Sequence, residues 1–271
     1  AICLLLSSQV FFAQQTDNKP QKANKSGTLT YKYVPSIAEQ IRTGSFKPMK
    51  VYGEKERKEI NPRQRHGADI IIGKGSTGKD PLADKQLQTN KTPSRAPNLV
   101  FPTIENITGF NPSDPTGAVG RDFYIAAWNA TGFQIFDKDG TPAAGMPNPA
   151  DASTIFGSTM GDPIVLYDSA ADRYVLTQFA SSGFEVAVSQ TNDPINDGWH
   201  VYSAADFDTG AFPDYTKFGI WSDGYYVTAN INGGDGQVFA IERNEMLNGN
   251  PSTIQAFDLP GTRGFVSSIE A

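Results

Sequence analysis

Three stretches of this chain open alike and continue alike at a nearly constant interval, and that interval limits the fold more than anything else in the sequence. Asp114-Pro115, Asp162-Pro163 and Pro213-Asp214 each start a unit that passes through a turn into an aromatic, apolar strand. The strands lie at 123–127, 173–177 and 225–229, and aligning Tyr124, Tyr174 and Tyr226 gives offsets of 50 and 52 residues. A sequence repeating at such a period builds one supersecondary unit each time, and each unit must bury its face against the next. A repeat of roughly fifty residues suits one four-stranded meander, the blade of a β-propeller; a β-sandwich has similar strands without a fixed offset.

The second unit parses most cleanly, with strands at 164–167, 173–180, 185–190 and 199–203 between Asp-, Ser/Gly- and Pro/Asn-rich turns. The third repeats the scheme at 217–221, 225–231, 237–243 and 254–259, with a short helical insertion at 244–247 before its last strand. The first is degenerate but keeps a hairpin, 123–129 with 133–137, ending in the Asp139-Gly140 turn. The fold class read from this pattern is all-β: a β-propeller of four-stranded antiparallel blades at 114–157, 162–205 and 213–259, with the next starting at 264. Closed propellers use about four to eight blades. About three blades and the start of a fourth therefore read as an incomplete set, with other modules expected C-terminal to it. In that case the last sheet shows an uncovered face on which Ile254, Phe257 and Phe265 lack a neighbour.

Charge divides the chain near Arg95-Ala96-Pro97. Residues 14–97 carry 17 Lys and Arg against 8 Asp and Glu, while 98–271 carry 6 against 21. Of the 30 aromatic residues, 24 lie after Pro97, so a basic, mostly irregular leader precedes an acidic, aromatic body of 98–271. Within the leader, 28–33 (TLTYKY) alternates like a short strand. Ser36 and Glu39 have capping-box spacing, Ile37 and Ile41 share a face, and Gly44 can end the turn, which predicts one helix near 36–43. Residues 54–91 show no apolar period and read as a linker or pro-segment, with an arm for anionic envelope polymers as the alternative. Gly73 to Asp80 imitates a phosphate-binding loop, but Asp80 stands where the Mg²⁺-binding hydroxyl belongs and Pro81 blocks the following helix.

Residues 1–13 (AICLLLSSQVFFA) are apolar and followed at once by Gln14-Gln15-Thr16-Asp17, the end of a secretory signal without its Met and basic start. The chain thus reads as exported, extracellular or on the outer cell surface. No later stretch approaches the roughly 18 apolar residues of a membrane span. Cys3 is the only cysteine and lies inside the signal, so the mature chain lacks the thiols needed for disulfides, iron–sulfur clusters, Cys-based zinc sites or a Cys nucleophile. The acidic body would repel phosphates, which argues against nucleic acid.

The strings DPTGAVGRDFYIAAWN (114–129), GDPIVLYDSAADRYVLTQFA (161–180), PDYTKFGIWSDGYYVTANI (213–231) and FAIERNEMLNG (239–249) resemble a broad group of secreted bacterial propeller proteins common in Bacteroidota. Many of that group resemble cargo of the type IX secretion system. The resemblance covers about 98–271 and implies fold and location; it brings no catalytic residues.

Asp114, Asp162 and Asp214 recur near the start of the innermost strand of each unit, where carboxylates could gather around one ligand at a central channel. Repetition beside Pro or a turn also suits a cap on backbone amides. Catalysis needs two carboxylates in different environments, so no catalytic residue is assigned. Asn230 to Gly236 alternates oxygen ligands with glycines but lacks the bidentate Glu of a calcium loop, leaving Ca²⁺ as the one cofactor considered and a hairpin as its competitor. His66 and His200 are the only histidines, one in the leader and one on a strand, which argues against a two-His metal site or a Ser-His-Asp triad and leaves His200 alone as an open candidate. Trp128, Trp199 and Trp221 suit either stacking on sugars or filling wedges between blades. Two functions remain open: a non-catalytic binding or scaffold module for glycans or other envelope components, and a secreted glycan hydrolase with channel carboxylates.

Overall fold

Aromatic and β-branched residues alternate with turn residues through most of the body, and the chain answers with antiparallel meanders. The computed structural model describes residues 22–49, 97–103, 113–180, 182–204, 207, 212–231 and 236–260. The export-signal stretch 1–13, the segment 54–91 with its phosphate-loop mimic and His66, residues 232–235 of the glycine-rich loop, and Phe265 with the start of a fourth unit lie outside these residues.

The leader contributes two strands and a helix: β1 (Lys25–Thr28), β2 (Thr30–Val34) and α1 (Ile37–Thr43). Sheet I follows, with β3 (Thr116–Val119), β4 (Phe123–Trp128), β5 (Gly132–Asp137) and β6 (Ala150–Asp151) in chain order. Sheet II holds β7 (Ile164–Asp168), β8 (Arg173–Phe179), β9 (Phe184–Ser189) and β10 (Trp199–Ser203). Sheet III holds β11 (Pro213–Ile220), β12 (Gly224–Ile231), β13 (Gly236–Glu242) and β14 (Thr253–Leu259), with the short helix α2 (Arg243–Asn248) between the last two. Neighbouring strands are antiparallel throughout, so the molecule is mostly β and antiparallel, as the turn-rich pattern predicts. No helix among the described residues is long and apolar enough to cross a membrane.

The first strands β3, β7 and β11 lie side by side, and Val165 N–H donates to Thr116 Oγ1 across 3.2 Å between sheets I and II. Sheet II sits between the other two and is buried on both faces. Leu176, Ala187, Trp199 and Val201 face Ile125, Ala127, Phe133 and Ile135 of sheet I. Val175, Phe184, Val186 and Val188 face Phe218, Val227, Phe239 and Ile241 of sheet III. This double burial is why 174–176 and 186–188 read as unbroken apolar runs rather than alternating ones. Trp199 is fully buried and donates its Nε1–H to Pro194 O at 3.2 Å.

Two expectations are corrected here. The first hairpins do not all close alike: Gly120 with Phe123 and Trp221 with Gly224 across two-residue turns, but Asp168 with Arg173 across four residues. The residue after each closing pair is Tyr124, Tyr174 and Tyr225, so Tyr225 rather than Tyr226 is the counterpart. Tyr174 and Tyr225 are both buried and both reach the hairpin of the preceding sheet, Tyr174 to Phe123 O at 2.7 Å and Tyr225 to Asp168 Oδ2 at 2.9 Å. Second, Ile254 does not lie on an uncovered face. It is wholly buried in the cluster between sheets II and III, whereas Phe257 is only half-buried.

The leader is more ordered than its composition predicts. Lys25–Thr28 pairs with Thr253–Ala256 to become the outer strand of sheet III, and Thr30–Val34 pairs with β10 to become the outer strand of sheet II. Helix α1 follows, capped by Ser36 Oγ accepting from Glu39 N–H and by Gly44 in the left-handed region at φ 74°. Pro48 then bridges to Ala150, with Met49 N–H donating to Pro149 O, at the outer edge of sheet I. The leader therefore crosses all three outer edges, last sheet first. Leu29, 3% exposed, belongs to the core between sheets II and III, and Ile37, fully buried, to the core between I and II.

Candidate functional site

Each sheet has two ends: the unit start, where an aspartate lies at or just before the first strand, and the hairpin, where sheet II carries a second aspartate. The starts of the first strands bring Asp114, Asp162 and Asp214 into one electrostatic neighbourhood, together with Lys217. Asp114 is exposed; Asp162, Asp214 and Lys217 are half-buried. The backbone gathers them by an unusual route. Asp114 and Asp162 adopt φ of 36° and 47°, a left-handed conformation that Asp tolerates better than most residues, and each is followed by Pro. In the third unit the left-handed residue is Tyr215, at φ 56°, one position later, and the β11–β12 register shifts between Asp214 and Lys217. Pro precedes the aspartate there instead of following it, so the third unit meets the same end by a bulge.

Asn129, in the turn after β4, joins two of the repeats. Its Nδ2 donates to Asp114 Oδ2 at 3.1 Å, and its Oδ1 accepts from Asp162 N–H at 3.1 Å. The amide of Asp162 is thus capped by an asparagine from the preceding unit. Lys217 enters from β11, donates from Nζ to Thr216 O at 3.2 Å, and rests its ammonium 3.8 Å from the centre of the Tyr215 ring. Neither Asn129 nor Lys217 is singled out by the sequence. Their signals are an Asn after Trp128 in a tight turn, and a Lys three residues beyond Asp214.

Burial, and then the charges of Asp114 and Asp214, lift the Asp162 carboxyl to about 6; Lys217 opposes the shift without cancelling it. Burial pulls the Lys217 ammonium down, against the pull of the three aspartates. The site is therefore acidic, partly desolvated and centred on one carboxyl that exchanges its proton near neutrality. Among the described residues, no group of three or more His, Cys, Asp and Glu side chains is placed to hold a metal ion. At the glycine-rich loop, Asn230 pairs with Gly236 across β12 and β13, so the described ends of that segment form a hairpin.

The remaining candidates lie elsewhere. His200 is buried in β10 with Nδ1 3.1 Å from the Tyr31 hydroxyl, and burial, aided by Arg173, keeps its ring below the ordinary histidine range. Trp221 is exposed at the opposite end of sheet III, and Trp128 is 5% exposed on the face of sheet I that turns away from sheet II. Beside Trp128, a cavity of about 260 Å³ is lined by Thr103, Pro115, Gly117, Tyr124 and Ala126 and contains no charged side chain among the described residues. Compared with protein-family models, curated proteins and solved structures, the chain matches none.

Proposed function

We propose that this chain is part of a β-propeller at the bacterial cell surface and acts there as a non-catalytic binding or scaffold module, with its ligand at the aspartate-lined end of the sheets. The propeller reading is supported by three meanders in chain order, by first strands that lie side by side, and by Tyr174 and Tyr225 making the same reach to the preceding hairpin. Export rests on the signal-like 1–13, and the bacterial surface on the resemblance of the repeat strings. The observation that carries the binding role is the meeting of Asp114, Asp162, Asp214 and Lys217, drawn from successive units. Carboxylates and an ammonium on one rim suit a ligand rich in hydroxyl groups, such as an envelope glycan, which can donate to the first and accept from the second.

A second reading has one observation in its favour. A carboxyl lifted to about 6 between two others is what a glycosidase uses as its general acid. The two readings separate in a glycan-binding and hydrolysis screen on the full-length protein and on Asp162→Asn. Glycan binding without turnover supports the module. Turnover that disappears in Asp162→Asn at unchanged melting temperature establishes the hydrolase instead. Glycan binding that survives the simultaneous change of all three aspartates to Asn removes this end of the sheets as the site.

A further inference from the structure

The outer edges of the sheets are far from the aspartates and carry a separate message. A free sheet edge offers a row of unpaired N–H and C=O groups that any extended segment can complete. Here one segment, 22–49, completes all three. It does so by β-strand addition, the mode in which main-chain hydrogen bonds supply affinity and alternate side chains supply specificity. Four register pairs join β1 to β14, five join β2 to β10, and Asp151 N–H donates to Lys47 O at 3.0 Å beyond the Pro48–Ala150 bridge.

The specificity elements are spaced like those of a peptide ligand. Leu29 enters the cleft between sheets III and II, and its N–H donates to Ser252 O at 2.9 Å. Val34 and Ile37 enter the cleft between II and I, where Ala38 N–H donates to Ile195 O at 3.0 Å. Tyr31 lies on Tyr202, with ring centres 5.2 Å apart, and reaches His200. Lys25 holds its ammonium 4.9 Å above the Phe207 ring. Segment 22–49 carries five basic residues and one acidic residue, against a body with 21 acidic and 6 basic, so long-range attraction favours the encounter. Every one of these contacts is non-covalent, and 47 residues of sequence, 50–96, separate the segment from Pro97.

From this we infer that the three outer edges form one peptide-binding track, and that residues 22–49 of a second copy fill it as the chain's own segment does, linking copies by strand exchange. The pairing does not require that both partners belong to one chain. The chain's own segment has the advantage of effective concentration, which falls as the sequence joining two partners lengthens. The inference does not depend on the ligand site proposed above, because it uses the opposite side of each sheet.

The test uses the full chain with a specific-protease site, flanked by Gly-Ser, inserted within 50–96. After complete cleavage the N-terminal piece is expected to co-elute with the body on gel filtration at micromolar concentration. A fluorescent peptide of residues 22–49 should then replace it. The same peptide should bind the uncut chain at least tenfold more weakly, because the tethered segment competes. A peptide carrying Leu29→Asp and Ile37→Asp should lose binding by at least tenfold. When two cut copies are mixed, an affinity tag on the N-terminal piece of one should be recovered on the body of the other. Separation of the N-terminal piece on cleavage overturns the inference. So does equal peptide binding to cut and uncut chain, or to wild-type and doubly substituted peptide. Failure of the tag to move between copies removes the second copy as the occupant.

Discussion

Strand β7 has an aspartate at each end, and the two could hardly be treated more differently. Asp168, at the hairpin end, is 1% exposed, yet Arg243 grips it with Nε and Nη2 at 2.6 and 2.7 Å, and Tyr225 and the Ala171 N–H add two further hydrogen bonds. Burial alone would lift its proton affinity, but the hydrogen bonds from Arg243 and Tyr225 prevail and hold the carboxyl below its ordinary range. Asp162, six residues earlier at the other end, is half-buried among like charges and is lifted to about 6. At the hairpin end, the buried Asp168 is thus neutralised by its own cation. The other end is left with unequal charges, the state in which a bound ligand gains most. The lesson is that partner geometry, more than depth of burial, separates a structural carboxylate from one available for function.

The largest expected effect breaks the hairpin end. Arg243→Met leaves Asp168 buried without its cation and should cost about 3–5 kcal/mol in denaturant unfolding, while Asp168→Leu with Arg243→Met should recover most of the loss. The folded Asp168 holds its proton less tightly than the unfolded chain does. Its contribution is therefore complete above the ordinary carboxylate pKa and disappears as pH falls through the depressed value, so the penalty of Arg243→Met should shrink in acid. Next in size, Tyr225→Phe removes a donor to a buried carboxylate and should cost about 1–2 kcal/mol, whereas Tyr226→Phe should stay within about 0.5 kcal/mol. Equal costs would undo the tyrosine register assigned above.

At the other end the sign reverses. A carboxyl that holds its proton more tightly when folded loses stability as pH rises from its unfolded value toward 6. Asp162→Asn keeps a residue that tolerates the left-handed backbone and removes the charge. Melting curves should show a gain on the order of 1 kcal/mol at pH 8, reduced by solvent screening at this half-exposed site, and none at pH 4. The smallest effect sharpens the comparison most directly. With Lys217→Met, the Asp162 titration followed by carboxyl NMR should move up, and an unmoved midpoint would show that Lys217 does not act on it.

Local features of the sequence carry through well. Ser36 and Gly44 cap the helix as their spacing implies, although the Glu39 carboxylate pairs with Arg42 instead of completing the capping box, and the second unit's strands fall where apolar runs meet turn residues. The three aspartates were legible because each sits beside Pro at a unit boundary. What escaped depends on partners distant in sequence. The grip of Arg243 on Asp168 spans 75 residues, and a charged residue at the start of a short helix reads as solvent-exposed until that span is closed. A count of residues selects Tyr226 over Tyr225 because a longer hairpin in the second unit and the β11 irregularity in the third nearly cancel. Of the two leader strands, β2 is legible in the alternation of 28–33, whereas β1 (KSGT) offers no apolar side chain and owes its place to pairing with β14.

That leader also sets a timetable for folding. Asn24, near the beginning of the described chain, accepts through Oδ1 a hydrogen bond from the Asp258 N–H, 234 residues away. Strand β1 pairs with β14, the last strand among the described residues, so β1 has no partner until sheet III has been made. Loop closure over such separations slows folding more than it lowers final stability. A sheet whose edge closes only when a strand more than two hundred residues further on arrives carries a delay written into the order of its strands.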